Sequence, residues 1–244
     1  MIDIVALERR AMRSWPALHE EAVGGWVMRF AQGYSKRANS LNAIVPDAPL
    51  DSAIARAETF YADKGLPTVV RLSPLAPDGA DAFLAARGYG LVDPSLVMVA
   101  RLDTVATDDP VELCQTPDGH WVQAVAAAQN MAPASANAFR AILNRIDSPA
   151  VFATSWIDGR AVAHGCAVLE DGAVGLFEII VSRESRGCGH GRTLVNGLLR
   201  WGQEQGAHSG WLQVLQDNEV AISLYRSLGF AEAYRYHYRI SAQA

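Results

Sequence analysis

The sequence predicts an α/β protein of the mixed-sheet, α+β kind, built as two similar domains that are each a mostly antiparallel mixed sheet flanked by helices. Three observations carry this expectation. Three extended segments, Val151 to Ile157, Arg160 to Leu169 and Val174 to Val181, are separated by Asp158-Gly159 and Asp171-Gly172, strong hairpin turns that make an antiparallel meander. The order helix, strand, helix, Gly-aromatic, strand occurs twice, over residues 51–102 and 190–240, with Gly88-Tyr89 and Gly229-Phe230 in matching places. Finally, the apolar strand Leu176 to Val181 runs through a glycine-rich turn into a helix, Arg192 to Gln203, whose Leu194, Val195, Leu198, Leu199 and Trp201 recur at helical spacing.

Ile2 to Trp15 carries Ile4, Val5, Leu7, Met12 and Trp15 on one side of an amphipathic helix that Pro16 breaks. Glu21 to Phe30 reads as a turn into a strand, and Ala31 to Tyr34 as a loop leading to a second strand, Lys36 to Val45, completing a hairpin. After the breaker cluster Pro46 to Leu50, Asp51 is expected to cap a helix that ends at Gly65. Leu66 to Leu72 is a strand, Asp78 to Arg87 a helix, and Leu91 to Leu102 a strand region interrupted by Pro94. Asp103 to Pro110 is polar and patternless, so residues 104–110 are expected to link a first domain, 1–103, to a second, 111–244. Asp118 opens a helix to about Asn130, Ala134 to Ile146 a second, and after the meander come a strand Gly210 to Leu215, a short helix Glu219 to Leu228 and a last strand Tyr234 to Ile240.

Composition narrows the function classes. The 244 residues suit two domains, and 50% hydrophobic with 19% charged residues is the balance of a globular chain with full cores. A net charge of -5 argues against a general nucleic-acid binder, which needs a basic face, while leaving room for local basic patches. The cysteines Cys114, Cys166 and Cys188 are far apart and odd in number, which fits a reducing compartment and no metal cluster. The charged N-terminus and the lack of an apolar run of about 18 residues point to neither a signal peptide nor a membrane span, so the cytoplasm is the expected location. Oligomeric state leaves no trace in the pattern.

The chemistry is concentrated at RGCGHG, residues 186 to 191. A strand entering a helix through such a turn leaves unpaired backbone N–H groups at the positive end of the helix dipole, a seat for a phosphate or pyrophosphate. No Lys-Ser/Thr follows, as a P-loop needs, and G-x-G-x-x-G is absent. The spacing R-x-x-G-x-G with Arg186, Gly189 and Gly191, followed downstream by Asn218, Ala221, Leu224-Tyr225 and Gly229-Phe230, resembles the GCN5-related N-acetyltransferase (GNAT) superfamily over about residues 110–240. The first half repeats the element order but has Val45-Pro46-Asp47-Ala48-Pro49 where the phosphate loop belongs; prolines lack N–H donors and Asp47 and Asp51 repel an anion, so this half reads as a degenerate, non-catalytic GNAT-like domain.

The resemblance implies an N-acetyltransferase that takes acetyl-CoA as cosubstrate and an amine, on a small molecule or peptide, as acceptor, with no nucleic acid or membrane partner. It places Ile179, Ile180 and Val181 at the thioester, with the amides of Ile180 and Val181 facing it. It gives the pyrophosphate to Arg186, Gly187, Cys188, Gly189, His190, Gly191 and Arg192, and sets Asn218, Ala221 and Tyr225 along the pantetheine. Tyr225 is the candidate acid for the departing thiolate. Glu178, a carboxylate in an otherwise apolar strand, is either the base for the amine or one half of a salt bridge. His164 is a second base candidate but reads first as a structural histidine. Trp26, Arg29, Tyr34, Lys36, Arg37 and Asn39 form an aromatic and basic cluster that either completes the acceptor site across the domain boundary or, preferably, solvates a sheet face. The competing function is an acyl-CoA-binding regulatory protein without turnover.

Overall fold

The computed structural model describes residues 2–103 and 111–242; the expected linker, 104–110, lies outside them. The chain runs α1 (Ile4–Ser14), β1 (His19–Val23), β2 (Trp26–Phe30), β3 (Leu41–Ala43), α2 (Asp51–Ala62), β4 (Val69–Leu72), α3 (Ala80–Ala86) and β5 (Gly90–Arg101). It continues with β6 (Glu112–Cys114), α4 (Gly119–Ala128), α5 (Pro133–Leu143), β7 (Ala150–Ile157), β8 (Arg160–Glu170), β9 (Ala173–Val181), α6 (His190–Glu204), β10 (Ser209–Leu215), α7 (Glu219–Ser227) and β11 (Ala231–Ile240). Local chemistry sets these bounds. Asp3 accepts from the Ala6 amide and Asp118 from the Trp121 amide, each capping a helix start. The Asp-Gly pairs at 158–159 and 171–172 all take positive φ, as two-residue hairpins require.

The two expected sheets are one. Among the described residues the strands form a single 11-stranded mixed sheet in the order β1-β2-β3-β4-β11-β5-β10-β9-β8-β7-β6. The halves interleave at its centre: β11, the last strand, lies between β4 and β5, and β5 lies between β11 and β10. Each half therefore hands its final strand to the other. The β5–β11 ladder slips twice, between Glu232 and Tyr234 and between Tyr236 and Tyr238, close to where Asp93 takes positive φ beside Pro94.

Helices cover both faces. Leu194, Val195 and Leu198 of α6 pack on Val151, Ala163 and Leu176, while Trp15, Trp121 and Phe139 meet Phe177 and Trp211 from the other side. A third cluster joins Ile54, Tyr61 and Leu84 to Trp26, Leu41 and Val70. At the seam, Arg71 of β4 is paired with Glu8 of α1 at 2.8 Å with both side chains buried; Tyr234 of β11 reaches across to donate to Glu8, and the Arg71 guanidinium sits 3.3 Å from the Tyr236 ring centroid.

Three local expectations are corrected. Residues 19–30 are a complete hairpin turned at Gly24-Gly25, with Gly25 packed so tightly on Ala48 that a Cβ there would lie 2.6 Å from the Ala48 Cβ. The second strand is only Leu41–Ala43, because residues 36–38 form a 3-10 turn fastened by side chains. Asp51 is the first helical residue, not the cap; Leu50 holds that place without a side-chain bond, so the acid acts only on the helix dipole.

Candidate active site

A cleft opens where two parallel strands separate. β9 and β10 pair from Ala173 and Ser209 as far as Leu176 and Leu212, then part although both continue. The cause lies in β9: Glu178 takes φ 53°, and the β8–β9 register slips between His164 and Cys166, a bulge that turns the strand away. Gly165 makes room opposite it, since a Cβ there would meet Ile179 Cδ1 at 2.7 Å. The resulting cleft has a volume of about 420 Å³ and is walled by Phe177 to Ile180, Leu212 to Leu215 and the inner face of α7.

Beyond the end of β9 lies the glycine loop. Gly187 and Gly189 take φ 78° and 87°, which only glycine adopts without strain, and a Cβ at either would point into open space. Among the described residues, none of the six successive amides from Arg186 to Gly191 has a hydrogen-bond acceptor; the first loop-to-helix bonds are those of Arg192 and Thr193 to Gly189 O. Converging unpaired amides at the start of the 15-residue α6 form an anion nest. Gly191 seats this turn against Val181 and Leu224, next to α7. The donor set and the open loop fit a diphosphate.

The other expected residues fall as follows. Asn218, Ala221 and Tyr225 share one face of α7, at helical spacing, and all three line the cleft. Asn218 also caps that helix: its Oδ1 accepts from the Ala221 amide at 3.2 Å, and its Nδ2 is left for the cleft. Tyr225 is buried against Phe230 and Ile222, and burial pushes its phenol up to about 12. Of the two strand amides, one is spent: Ser182 N donates to Val162 O, so ladder alternation gives the Ile180 amide to His164 and turns the Val181 amide the other way, toward the cleft. Arg186 lies beside Val181 O, Cys188 is exposed, and Arg192 donates to Ser227 at 2.7 Å, tying the loop to the end of α7.

Glu178 is the meeting point of three elements, β9, the 36–38 turn and α4. Its carboxylate, 3% exposed, accepts from Arg37 Nη2 at 2.7 Å and from the Gln129 amide at the end of α4. The Arg37 guanidinium lies 4.5 Å from the Trp15 ring centroid. Burial works against its charge, and Glu178 outweighs that, holding Arg37 above its usual value. Burial and the Glu178 carboxylate together push the neighbouring Tyr34 phenol up. His164 faces another pocket, with Trp121 and Thr154, and burial lowers its pKa.

The basic cluster of the first half is not a solvated face. Trp26 is buried and donates to Ala48 O and Pro49 O; Arg29, 2% exposed, donates to Glu20, Arg37 O, Met12 O and Trp15 O. Lys36 and Arg37 line the cleft, with Asp93, Ser95, Tyr236 and Tyr238 completing that wall. Sequence reasoning missed Gln129, Asp93 and the tyrosines of β11, which carry no motif.

A split parallel pair with an amide nest at its end, on a mixed sheet flanked by helices, defines an acyltransferase fold of the GNAT type. Residues 2–239 match the family described as "Probable histone acetyltransferase Rv0428c C-terminal". Among curated proteins, the chain is 32% identical over 246 residues to the "Uncharacterized N-acetyltransferase YobR" of Bacillus subtilis, covering 98% of this chain and 99% of that one. Among solved structures it is similar to a GCN5-related N-acetyltransferase from Kribbella flavida, with TM-score 0.74, 14% identity and coverage of 100% and 98%. It is also similar to a tandem GNAT protein from the clavulanic acid biosynthesis pathway, with TM-score 0.58, 16% identity and coverage of 96% and 87%. The chain belongs to the GNAT-type N-acetyltransferases and is an acyltransferase. Among the described residues no helix is long and apolar enough to cross a membrane, and no cluster of His, Cys, Asp and Glu could hold a metal ion.

Proposed function

We propose that the protein transfers the acetyl group of acetyl-CoA to a primary amine, on a small molecule or peptide, by direct attack on the thioester. The observation that carries this reading is the run of six unpaired amides, Arg186 to Gly191, set beyond the end of the strand split. Acetyl-CoA supplies an activated acyl group. The loop amides hold its diphosphate, with Arg186 and Arg192 adding positive charge, and Asn218 Nδ2 and Ala221 flank the pantetheine. The Val181 amide polarises the acyl carbonyl. Glu178, paired with Arg37 at 2.7 Å, attracts the incoming ammonium and takes its proton.

Tyr225 gives the leaving thiolate its proton. Burial disfavours the phenolate, so the raised pKa keeps the donor form populated across the physiological range. The first half, 1–103, is a degenerate copy joined through 104–110 to a catalytic half, 111–244, in the cytoplasm. Repetition of β3-α2-β4-α3-β5 as β9-α6-β10-α7-β11, and the tandem GNAT neighbour, support that division.

Thiol release from acetyl-CoA with a panel of amines separates turnover from binding alone. Tyr225→Phe is expected to lower kcat by about 100-fold or more while leaving acetyl-CoA affinity within about twofold. In the wild type, kcat is expected to show no fall assignable to Tyr225 up to about pH 10. Equal losses of kcat and affinity in the variant contradict the acid role.

A further inference from the structure

The cleft wall opposite α7 is made by the first half, around the turn Tyr34 to Arg37, and that turn is built rather than left loose. Asn39, 5% exposed, accepts from the Ala31 and Gly33 amides through Oδ1 and donates to Ser35 O; buried Ser40 donates to Lys36 O; buried Arg29 donates to Arg37 O. A satisfied polar scaffold of this kind fixes one geometry. What it aims at the cleft is two adjacent cations.

We propose that this turn recognises the acceptor, and that the acceptor is a small amine bearing an anionic oxygen group, a carboxylate or a phosphate, which Arg37 and Lys36 receive. The inference rests on the acetyltransferase reading above. A guanidinium has five N–H donors, and Arg37 spends one on Glu178 while its stacking on Trp15 fixes the plane. Its other donors have no partner among the described residues, and the side chain is 27% exposed where it lines the cleft. A fixed planar fork matches carboxylate and phosphate oxygens. Beside it, Lys36 pairs with Asp93 at 2.8 Å with both side chains more than a third exposed, an ion pair weak enough to exchange partners.

The charge balance of the walls selects the same class. Among the described residues their charged side chains are Lys36, Arg37, Asp93 and Glu178, two of each sign. A polyamine or lysine-rich tail would bring its charges against both cations, whereas a zwitterion sets its amine toward Glu178 and its anion toward Arg37 and Lys36. In the transfer, Glu178 takes one proton from the ammonium and passes it to water, the N–C bond forms as the C–S bond breaks, Tyr225 protonates the thiolate, and the second proton shed by the acylated nitrogen restores the Tyr225 phenol. The acetylated product has lost its ammonium, and with it the attraction to Glu178.

The test measures thiol release from acetyl-CoA by the full chain with matched acceptors: amino acids against their amides, aminoalkyl phosphates against the amino alcohols, and spermidine and a lysine-rich peptide. The anionic member of a pair is expected to have about tenfold or more higher kcat/KM, chiefly through KM, and comparing the two series identifies carboxylate or phosphate. Lys36→Ala is expected to shrink that preference about tenfold, and Arg37→Lys, which keeps the charge beside Glu178 but loses the fork, to shrink it further. The proposal is overturned if spermidine or the peptide is the best acceptor, if both members of each pair react alike, if no anionic acceptor exceeds background, or if Lys36→Ala leaves the preference intact. Calorimetry with acetyl-CoA on the same samples separates the two readings: no binding refutes the acetyltransferase reading, whereas normal binding with any overturning result refutes this inference alone.

Discussion

Two loops join a strand to a helix at corresponding places in the repeated element order, and they treat their amides in opposite ways. In the loop from Ile44 to Pro49, the Ile44 and Val45 amides donate to Gly25 O, Asp47 to Leu75 O and Ala48 to Val45 O, while Pro46 and Pro49 have no N–H to offer. The Trp26 indole closes the loop from below through Ala48 O and Pro49 O. In the loop from Arg186 to Gly191 the amides of all six residues are unclaimed among the described residues, and two left-handed glycines hold them open. An anion site is thus made by leaving donors unspent in a rigid turn, and it is erased by giving each donor an internal acceptor or removing it. The erased copy gained stiffness, which suits a part that carries the opposite wall of the cleft.

The harshest way to break this comparison is to separate the halves. Arg71→Met strands the Glu8 carboxylate at the seam beneath β11 and is expected to cost about 3–5 kcal/mol in urea unfolding. Because β5 and β11 are exchanged, fluorescence and acetyl-CoA binding should be lost in one shared transition. Two separate transitions would show that the halves are independent and that the loops cannot be compared within one unit.

A finer cut falls on the loop alone. Gly189→Val forces a β-branched residue into φ 87° and is expected to weaken acetyl-CoA binding by about 100-fold, with the fold retained by circular dichroism. Binding that survives the substitution would remove the nest from the account.

How much of this was legible follows from how local each constraint is. Gly187, Gly189, Asp158-Gly159 and the Asp118 cap answer to backbone geometry within a few residues, and each left a residue type that can be read directly. The exchange of β5 and β11 could not be read, because a strand's alternation says which face is buried and nothing about its neighbours. The basic cluster misled for a related reason. Arg29 and Arg37 look like surface residues until carbonyls at the end of α1 take up the first and a carboxylate 141 residues away pairs with the second. Glu178 was recognised as anomalous, but its partner was set by tertiary structure. Asp51 has the residue type of a cap, and it yields because the preceding turn starts the helix one residue earlier.

The most direct measurement is a titration of the amide-labelled chain with acetyl-CoA, followed by two-dimensional nitrogen–proton spectra. The amides of residues 186–191 are expected to shift and become protected from exchange while those of Ile44, Val45, Asp47 and Ala48 stay still. Shifts of equal size in both loops, or none in the first of these stretches, would contradict it.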